Sequence, residues 1–378
     1  MQRERGFSMV ELIVAMTVTL IVSSAIYGLL SAGGNAFRRE PEIADRQQNI
    51  RAAMDLITRD VYEGGAALNT FSQAFTRVDP AGPCAGSLNS CGPMGAMGAA
   101  AASARGGDPE ETDVLEVVST DEQCPQLAVC SNGAGQPIPG TAGVFVTQER
   151  LPACLQVPGL VALVADSTFT IAPALAAGGA AACTTSGASG VNANLTLGAT
   201  LAPFAGSGFT NPNPNPGAAN TVYLYRGRLV RYRVGPSLDP ADPVPGLWRT
   251  ESGRYNPDGS AAAEPGTAGF NPVGSPWQLV ARGVEDMQIE YLDGNGAWLN
   301  QPPVSIPNDW TTIVRQVRIT LSARVSQANL GGESTAGGGA PVAVRGQLSA
   351  AVAPRAAMTE LQMCLAATPA CPAASHIQ

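Results

Sequence analysis

Residues 3–30 read RERGFSMVELIVAMTVTLIVSSAIYGLL, and a single acid, Glu11, stands inside an otherwise apolar run. Residues 12–30 carry no charge, and at about 1.5 Å of rise each these nineteen residues cover the hydrocarbon core of a bilayer. A secretory signal peptide is one reading, with Arg3 and Arg5 as the basic region and a small-residue cut after Ala25. Its apolar region would be longer than such peptides carry and would begin with an acid. A plain uncleaved anchor accounts for the length but leaves Glu11 without a reason. A third reading places the cut between Gly6 and Phe7. That creates an α-amino group, with an unperturbed pKa of about 8, four residues ahead of Glu11. Positions four apart share a helix face, so amine and carboxylate can neutralise each other within a chain or between neighbouring chains. A lone carboxylate at the membrane edge is costly, and a paired one is much less so.

These residues carry a family resemblance. GFSMVELIVAM, with Gly6 before the cut, Phe7 first and Glu11 fifth in the mature chain, resembles the type IV prepilin signature. The resemblance implies a prepilin peptidase that cleaves after Gly6 and N-methylates Phe7. It also implies that the retained helix packs in the core of a pilus or pseudopilus.

Composition narrows the remaining possibilities. The chain has 378 residues, 14% of them charged, with 43 Gly and 30 Pro, which points to long loops around a core. Its one histidine, His376, argues against histidine catalysis and multi-histidine metal sites. No catalytic constellation is recognisable, and neither enzymatic activity nor a cofactor is expected. Loss of residues 1–6 removes two arginines and one glutamate, taking the net charge from −8 to −9. An acidic ectodomain has no broad electrostatic footprint for nucleic acid. Arg226, Arg228, Arg231 and Arg233 form a local basic strip, read as the solvated face of a strand pair.

Eight cysteines, Cys84, Cys91, Cys124, Cys130, Cys154, Cys183, Cys364 and Cys371, all follow the apolar run. An even count on one side of a membrane fits disulfides in an oxidising compartment. Arg3 and Arg5 hold the N-terminus in the cytoplasm by the positive-inside rule, which places the cysteines in the periplasm or beyond. Connectivity is not fixed by spacing. Nearest-neighbour pairing is expected: Cys84 with Cys91, Cys124 with Cys130, Cys154 with Cys183 and Cys364 with Cys371. Zinc is the rival reading, without a Cys-x-x-Cys pair to support it.

Beyond the span, Ile43, Ile50, Met54, Ile57 and Val61 recur at helical spacing, with charges on other faces. The helix is expected to continue as an amphipathic rod of about 85 Å over 7–63, kinked or briefly broken at Pro41 and stopped at Gly64-Gly65. A juxtamembrane coiled coil is the plainer reading of its second half. The pattern then changes to period two. Strands are expected at 113–119, 144–148 and around 160–171, with hairpins turning at Arg226-Gly227 and at 293–296 and further strands near 312–325 and 342–352. Stretches 81–109, 173–220, 256–276 and 331–339 read as Gly-, Ala-, Pro- or Ser-rich loops. The acidic run 108–113 reads as a solvated loop, and DGNG at 293–296 as a turn rather than a calcium site.

The expected organisation is a leader at 1–6, a transmembrane or filament-core helix at 7–32, an amphipathic continuation at 33–65 and a β-rich head at 66–378. The fold class is α+β, a type IV pilin-like helix on an antiparallel sheet. The C-terminal third, with ARGVEDMQIEYLDGNGAWLN, VRQVRITLSARV and LSAAVAPRAAM, is similar to PilW-like minor pilins and to J-type pseudopilins of type II secretion. That resemblance implies a low-copy subunit that helps to initiate a filament or sits at its tip. Its partners would be other pilins, the prepilin peptidase, the inner-membrane assembly platform and an adhesin. The subunit would move from the inner membrane to a cell-surface pilus used in twitching or adhesion. A tip adhesin that uses loops 81–109 or 173–220 is the alternative.

Overall fold

Ile50, Ala53, Met54, Ile57 and Val61 fall on one side of a helix, and all five are buried. They belong to α1, which runs from Met9 to Tyr62 and ends ahead of Gly64 and Gly65. Gly65 sits at φ +77°, where a side chain would be strained. The helix is continuous through Pro41, without the brief break that was the alternative to a kink there. Pro41 is exposed, so the carbonyl it leaves without a helical partner can turn to water.

The computed structural model describes residues 8–66, 68, 74–75, 90–93, 111–130, 144–146, 151–155, 158–165, 168–181, 192–197, 222–236, 245–252, 255–256, 258, 260, 262–265, 270–300, 302–303, 309–324 and 345–359. The strands in chain order are β1 (Ser90–Pro93), β2 (Glu111–Thr120), β3 (Leu127–Cys130), β4 (Val144–Val146), β5 (Gly159–Ala165), β6 (Thr168–Ala181) and β7 (Asn192–Leu197). There follow β8 (Tyr223–Gly235), β9 (Gly246–Thr250), β10 (Gln278–Arg282), β11 (Val284–Leu292), β12 (Trp298–Leu299), β13 (Gln316–Arg324) and β14 (Arg345–Val352).

β8 organises the head. Its first residues pair with β3 on one side and β5 on the other, so that Leu224 faces both Leu127 and Leu163. From β3 the ladder passes through β4, β7 and β6 to β5 and returns to β8, each step antiparallel. This closes a barrel and removes its sheet edges. Leu127, Val129, Val146, Leu163, Leu195 and Leu224 form one buried cluster within it. Residues 227–235 of β8 then pair with β2 and β9 in an open sheet. The hairpin expected at Arg226-Gly227 is therefore wrong, and β8 is one continuous strand. Gly227 marks the passage from barrel to sheet, because a Cβ there would lie 3.0 Å from backbone atoms of Val161 and Ala162.

The second sheet runs β12-β11-β13-β14, all antiparallel. Alternation along β13 buries Val317, Ile319, Leu321 and Ala323. These pack with Ile57 and Val61 of α1 and with Leu115, Val230 and Met287, joining both sheets to the helix in one core. Each large apolar side chain buried there contributes roughly 1.5–3 kcal/mol. The two sheets are stitched where β11 passes β2. Met287 N–H donates to Thr112 Oγ1 (3.2 Å) and Ile289 N–H to Asp113 Oδ2 (2.7 Å), so side chains take the place of a neighbouring strand. Thr112 and Asp113 are buried, which corrects the reading of 108–113 as wholly a solvated loop.

The stretch 173–220 is likewise not all loop, since β6 and β7 occupy part of it, and β1 lies within 81–109. Ala- and Gly-rich sequence makes ladder here because barrel neighbours satisfy its backbone. The turn at 293–296 is as expected: Ala297 N–H donates to Asp293 Oδ1 (2.7 Å), and Gly296 adopts φ +86°.

Cys124 bonds to Cys154 with a Cα–Cα separation of 5.6 Å. This overturns the expected pairs Cys124–Cys130 and Cys154–Cys183. Cys124 lies in the β2–β3 turn and Cys154 in the turn before β5, and the barrel brings those turns together across 30 residues of sequence. Cys84, Cys183, Cys364 and Cys371 lie outside the described residues, as do the side chains of Cys91 and Cys130 in their strands. A Cys124→Ser, Cys154→Ser double variant is expected to lose about 3–4 kcal/mol of stability, the entropy of a closed loop of that length. Urea unfolding of the oxidised wild type against the double variant measures it.

Candidate functional site

The N-terminal segment is built by a local device. Ser8 is the N-cap of α1 in extended conformation (φ −78°, ψ 141°), and its Oγ accepts from Val10 N–H at 3.3 Å. Glu11 reaches back so that Ser8 N–H donates to Glu11 Oε2 at 3.0 Å. This is a reciprocal capping box, and a carboxylate is favoured at the positive end of a helix. Ser8 was absent from the expected site residues, although the spacing Ser-x-x-Glu states the motif in sequence. Gly6 and Phe7 lie outside the described residues. Glu11 is thus placed at the helix start on its own N-cap. Its second carboxylate oxygen makes no hydrogen bond among the described residues.

Met9–Leu30 is a stretch of 22 residues long and apolar enough to cross a membrane, and none of it is buried against the head. Two of its hydroxyls are settled locally: Thr17 Oγ1–H donates to Val14 O (2.9 Å) and Thr19 Oγ1–H to Ala15 O (2.7 Å). Such back-bonding satisfies these two donors within the helix, as an apolar environment favours.

At its other end α1 is clamped to the head. The buried Asp60 carboxylate accepts from Tyr232 Oη–H and from Arg249 Nε (2.8 Å) and Nη2 (3.2 Å). Burial first, then the Asp60 charge, pushes the Tyr232 phenol well above its ordinary value. Burial works against the Arg249 cation, but the bonds to Asp60 and Glu251 outweigh it and raise its pKa. Glu63 meets Arg228 at 3.1 Å beside an open cleft of about 650 Å³ that is also lined by Arg59, Asp121, Arg226 and Arg355. Each of these four arginines has a carboxylate within 3.3 Å.

The basic strip divides. Arg226 and Arg228 remain partly exposed, whereas Arg231 and Arg233 are 2% and 5% exposed, contrary to a solvated face. Both donate to Glu264, brought over the sheet by residues 262–265, and Arg231 also lies 3.5 Å from Glu116. Among the described residues no group of three His, Cys, Asp or Glu is placed to hold a metal ion.

A family model described as the prokaryotic N-terminal methylation motif matches residues 1–27. This supports the type IV prepilin and pseudopilin superfamily, whose members are processed by prepilin peptidase and assemble with other pilins. No curated protein and no solved structure matches the chain.

Proposed function

We propose that the chain is a structural minor pilin of a type IV pilus, PilW-like in kind, cut after Gly6 and methylated on Phe7, that takes part in initiating the filament or in its tip complex. One observation carries this reading. An apolar helix with a carboxylate at its fifth mature position, inside a matched methylation motif, continues without interruption into a rod clamped to a large head. A filament subunit needs a greasy segment that leaves the bilayer to pack among others and a rigid connection that carries the head with it. The closed barrel favours a minor or tip position, since a head enlarged by a whole module has more bulk than a stacked shaft accommodates. Its partners would be other pilins through α1, the prepilin peptidase and the inner-membrane assembly platform. The N-terminus starts in the cytoplasm and the head in the periplasm.

Capping uses one Glu11 oxygen and leaves the other for the new Phe7 amine, of its own chain or a neighbour. Two substitutions separate the roles. Glu11→Gln can still cap the helix but has no charge, while Glu11→Ala loses both. Both are expected to be cleaved normally, and both to fall about tenfold or more in filament incorporation, the effect of an unpaired amine in apolar surroundings. Quantitative blotting of sheared filaments against membranes reads this. Incorporation of Glu11→Gln at the wild-type level would reduce Glu11 to a capping residue and contradict the ion-pair role.

A further inference from the structure

The cleft of about 650 Å³ beside Glu63 lies where the rod, the open sheet and the barrel meet. The end of α1 brings Arg59 to it, β8 brings Arg226 and Arg228, and the short helix 355–359 brings Arg355. The β2–β3 turn, tied to the barrel by Cys124–Cys154, brings Asp121 and Glu122. Formal charges in the cleft cancel, because the four arginines stand against Glu63, Asp121, Glu122 and Glu251. Hydrogen bonding does not cancel. The acids are nearly saturated: Glu63 accepts from Arg59 Nε (3.2 Å) and Arg228 Nη1 (3.1 Å), one on each oxygen. Asp121 accepts from Arg226 Nη1 (3.3 Å) and Gln123 N–H (3.0 Å), and both Glu122 oxygens accept from Arg355 Nη2 (3.0 and 3.1 Å). Glu251 Oε1 accepts from Arg228 and Arg249, and its Oε2 accepts nothing among the described residues. A guanidinium carries five N–H donors. Among the described residues both Nη atoms of Arg59, Nε and Nη2 of Arg226, Nε of Arg228, and Nε and Nη1 of Arg355 make no hydrogen bond. The cleft is rich in donors and short of acceptors.

We propose that this cleft binds an extended acidic peptide segment of a partner protein, a site distinct from the N-terminal motif and from the packing of α1. Arg59 and Arg355 are its anchors. Their side chains are 75% and 54% exposed, and each has one nitrogen on its own acid, so both reach a ligand without giving up that partner. Planar guanidinium groups recognise carboxylates in a fork that two oxygens fill, which favours Asp or Glu side chains opposite these two. A cleft without net charge has little field to hold a free anion, so its ligand must gain from many hydrogen bonds at once. An extended peptide does so: it adds a backbone carbonyl at each residue for the donors of Arg226 and Arg228, and its N–H groups suit Glu251 Oε2. The occupant touches rod, sheet and barrel together and so stiffens the joint between them.

The test uses the full-length chain in detergent micelles and fluorescein-labelled hexaglutamate, read by fluorescence anisotropy. Hexaglutamate is expected to bind and hexaglutamine of the same length is not. Arg59→Ala and Arg355→Ala are each expected to weaken binding about tenfold, through loss of a charge-assisted fork. Both variants are expected to melt with the wild type, because the ion pairs they remove lie at the surface. Arg51→Ala, exposed on the same helix outside the cleft, is expected to bind as the wild type does. Bound hexaglutamate is expected to slow amide hydrogen exchange at 119–123, 158–160 and 251–252 and to leave β13 unchanged. No binding up to about 1 mM peptide, equal binding of hexaglutamine, full binding by both alanine variants, or protection confined to other segments would overturn the proposal. Citrate that competes with the affinity of hexaglutamate itself would also overturn it, by making the cleft a site for small free carboxylates.

Discussion

Glu264→Ala is expected to destabilise the head by about 3–5 kcal/mol, the cost of stranding buried charge when its partner is removed. Arg231 and Arg233 lie two apart on β8 and both donate to this carboxylate from positions hidden from water. Burial already pulls the Arg233 pKa below its ordinary value, and Glu264 is what opposes that pull. Without it Arg233 faces, among the described residues, only the neighbouring Arg231 charge, while Arg231 keeps Glu116. Glu264→Gln retains acceptors without charge and is expected to cost about half as much. Urea unfolding followed by circular dichroism separates the three proteins. A wild-type midpoint for Glu264→Ala would mean that the segment 262–265 does not cover the sheet.

Asp60→Ala is expected to cost a similar 3–5 kcal/mol or so, for a different reason. Among the described residues Asp60 is the one buried carboxylate on α1, and it holds both Tyr232 and Arg249 of the sheet. Its loss leaves the Tyr232 phenol and the Arg249 guanidinium, side by side on the sheet, without their helix partner, and Arg249 retains Tyr232 Oη (3.1 Å) and Glu251, which is more than half exposed. Asp55→Ala, one turn away on the open face, is expected to stay within about 0.5 kcal/mol. The comparison isolates the joint from helix propensity. Limited proteolysis should also cut Asp60→Ala between rod and head sooner than wild type. Equal unfolding midpoints for the two alanine variants would remove Asp60 from the joint.

The helix was legible because its signals are local: an uncharged run of membrane length, apolar residues at 50, 54, 57 and 61, and paired glycines at the end. β13 and the β11–β12 hairpin were legible for the same reason, through strict alternation and an Asp-Gly-Asn-Gly turn. What escaped depends on distant partners. Gly227 resembles a turn residue until β5 is seen lying against it. Arg231 and Arg233 resemble a wet strip until Glu264 arrives some thirty residues later. Cys124 has Cys130 nearer in sequence, but closing the barrel sets Cys154 beside it. Most of β6 beyond residue 171, and all of β7, escaped because ladder bonds around the barrel, more than side-chain pattern, hold them. At the N-terminus the sequence led to Glu11 through the cost of its burial, and the capping box with Ser8 adds a second reason for an acid at that position.

The central claim is that a proteolytic cut ahead of the apolar helix makes this chain a filament subunit. Intact-mass and N-terminal sequence analysis of the protein from its native membranes tests it most directly. The account predicts a mature chain that begins with N-methylated Phe7 and keeps Met9–Leu30. A chain that still starts at Met1, or one that starts after Ala25 with the span removed, would contradict it.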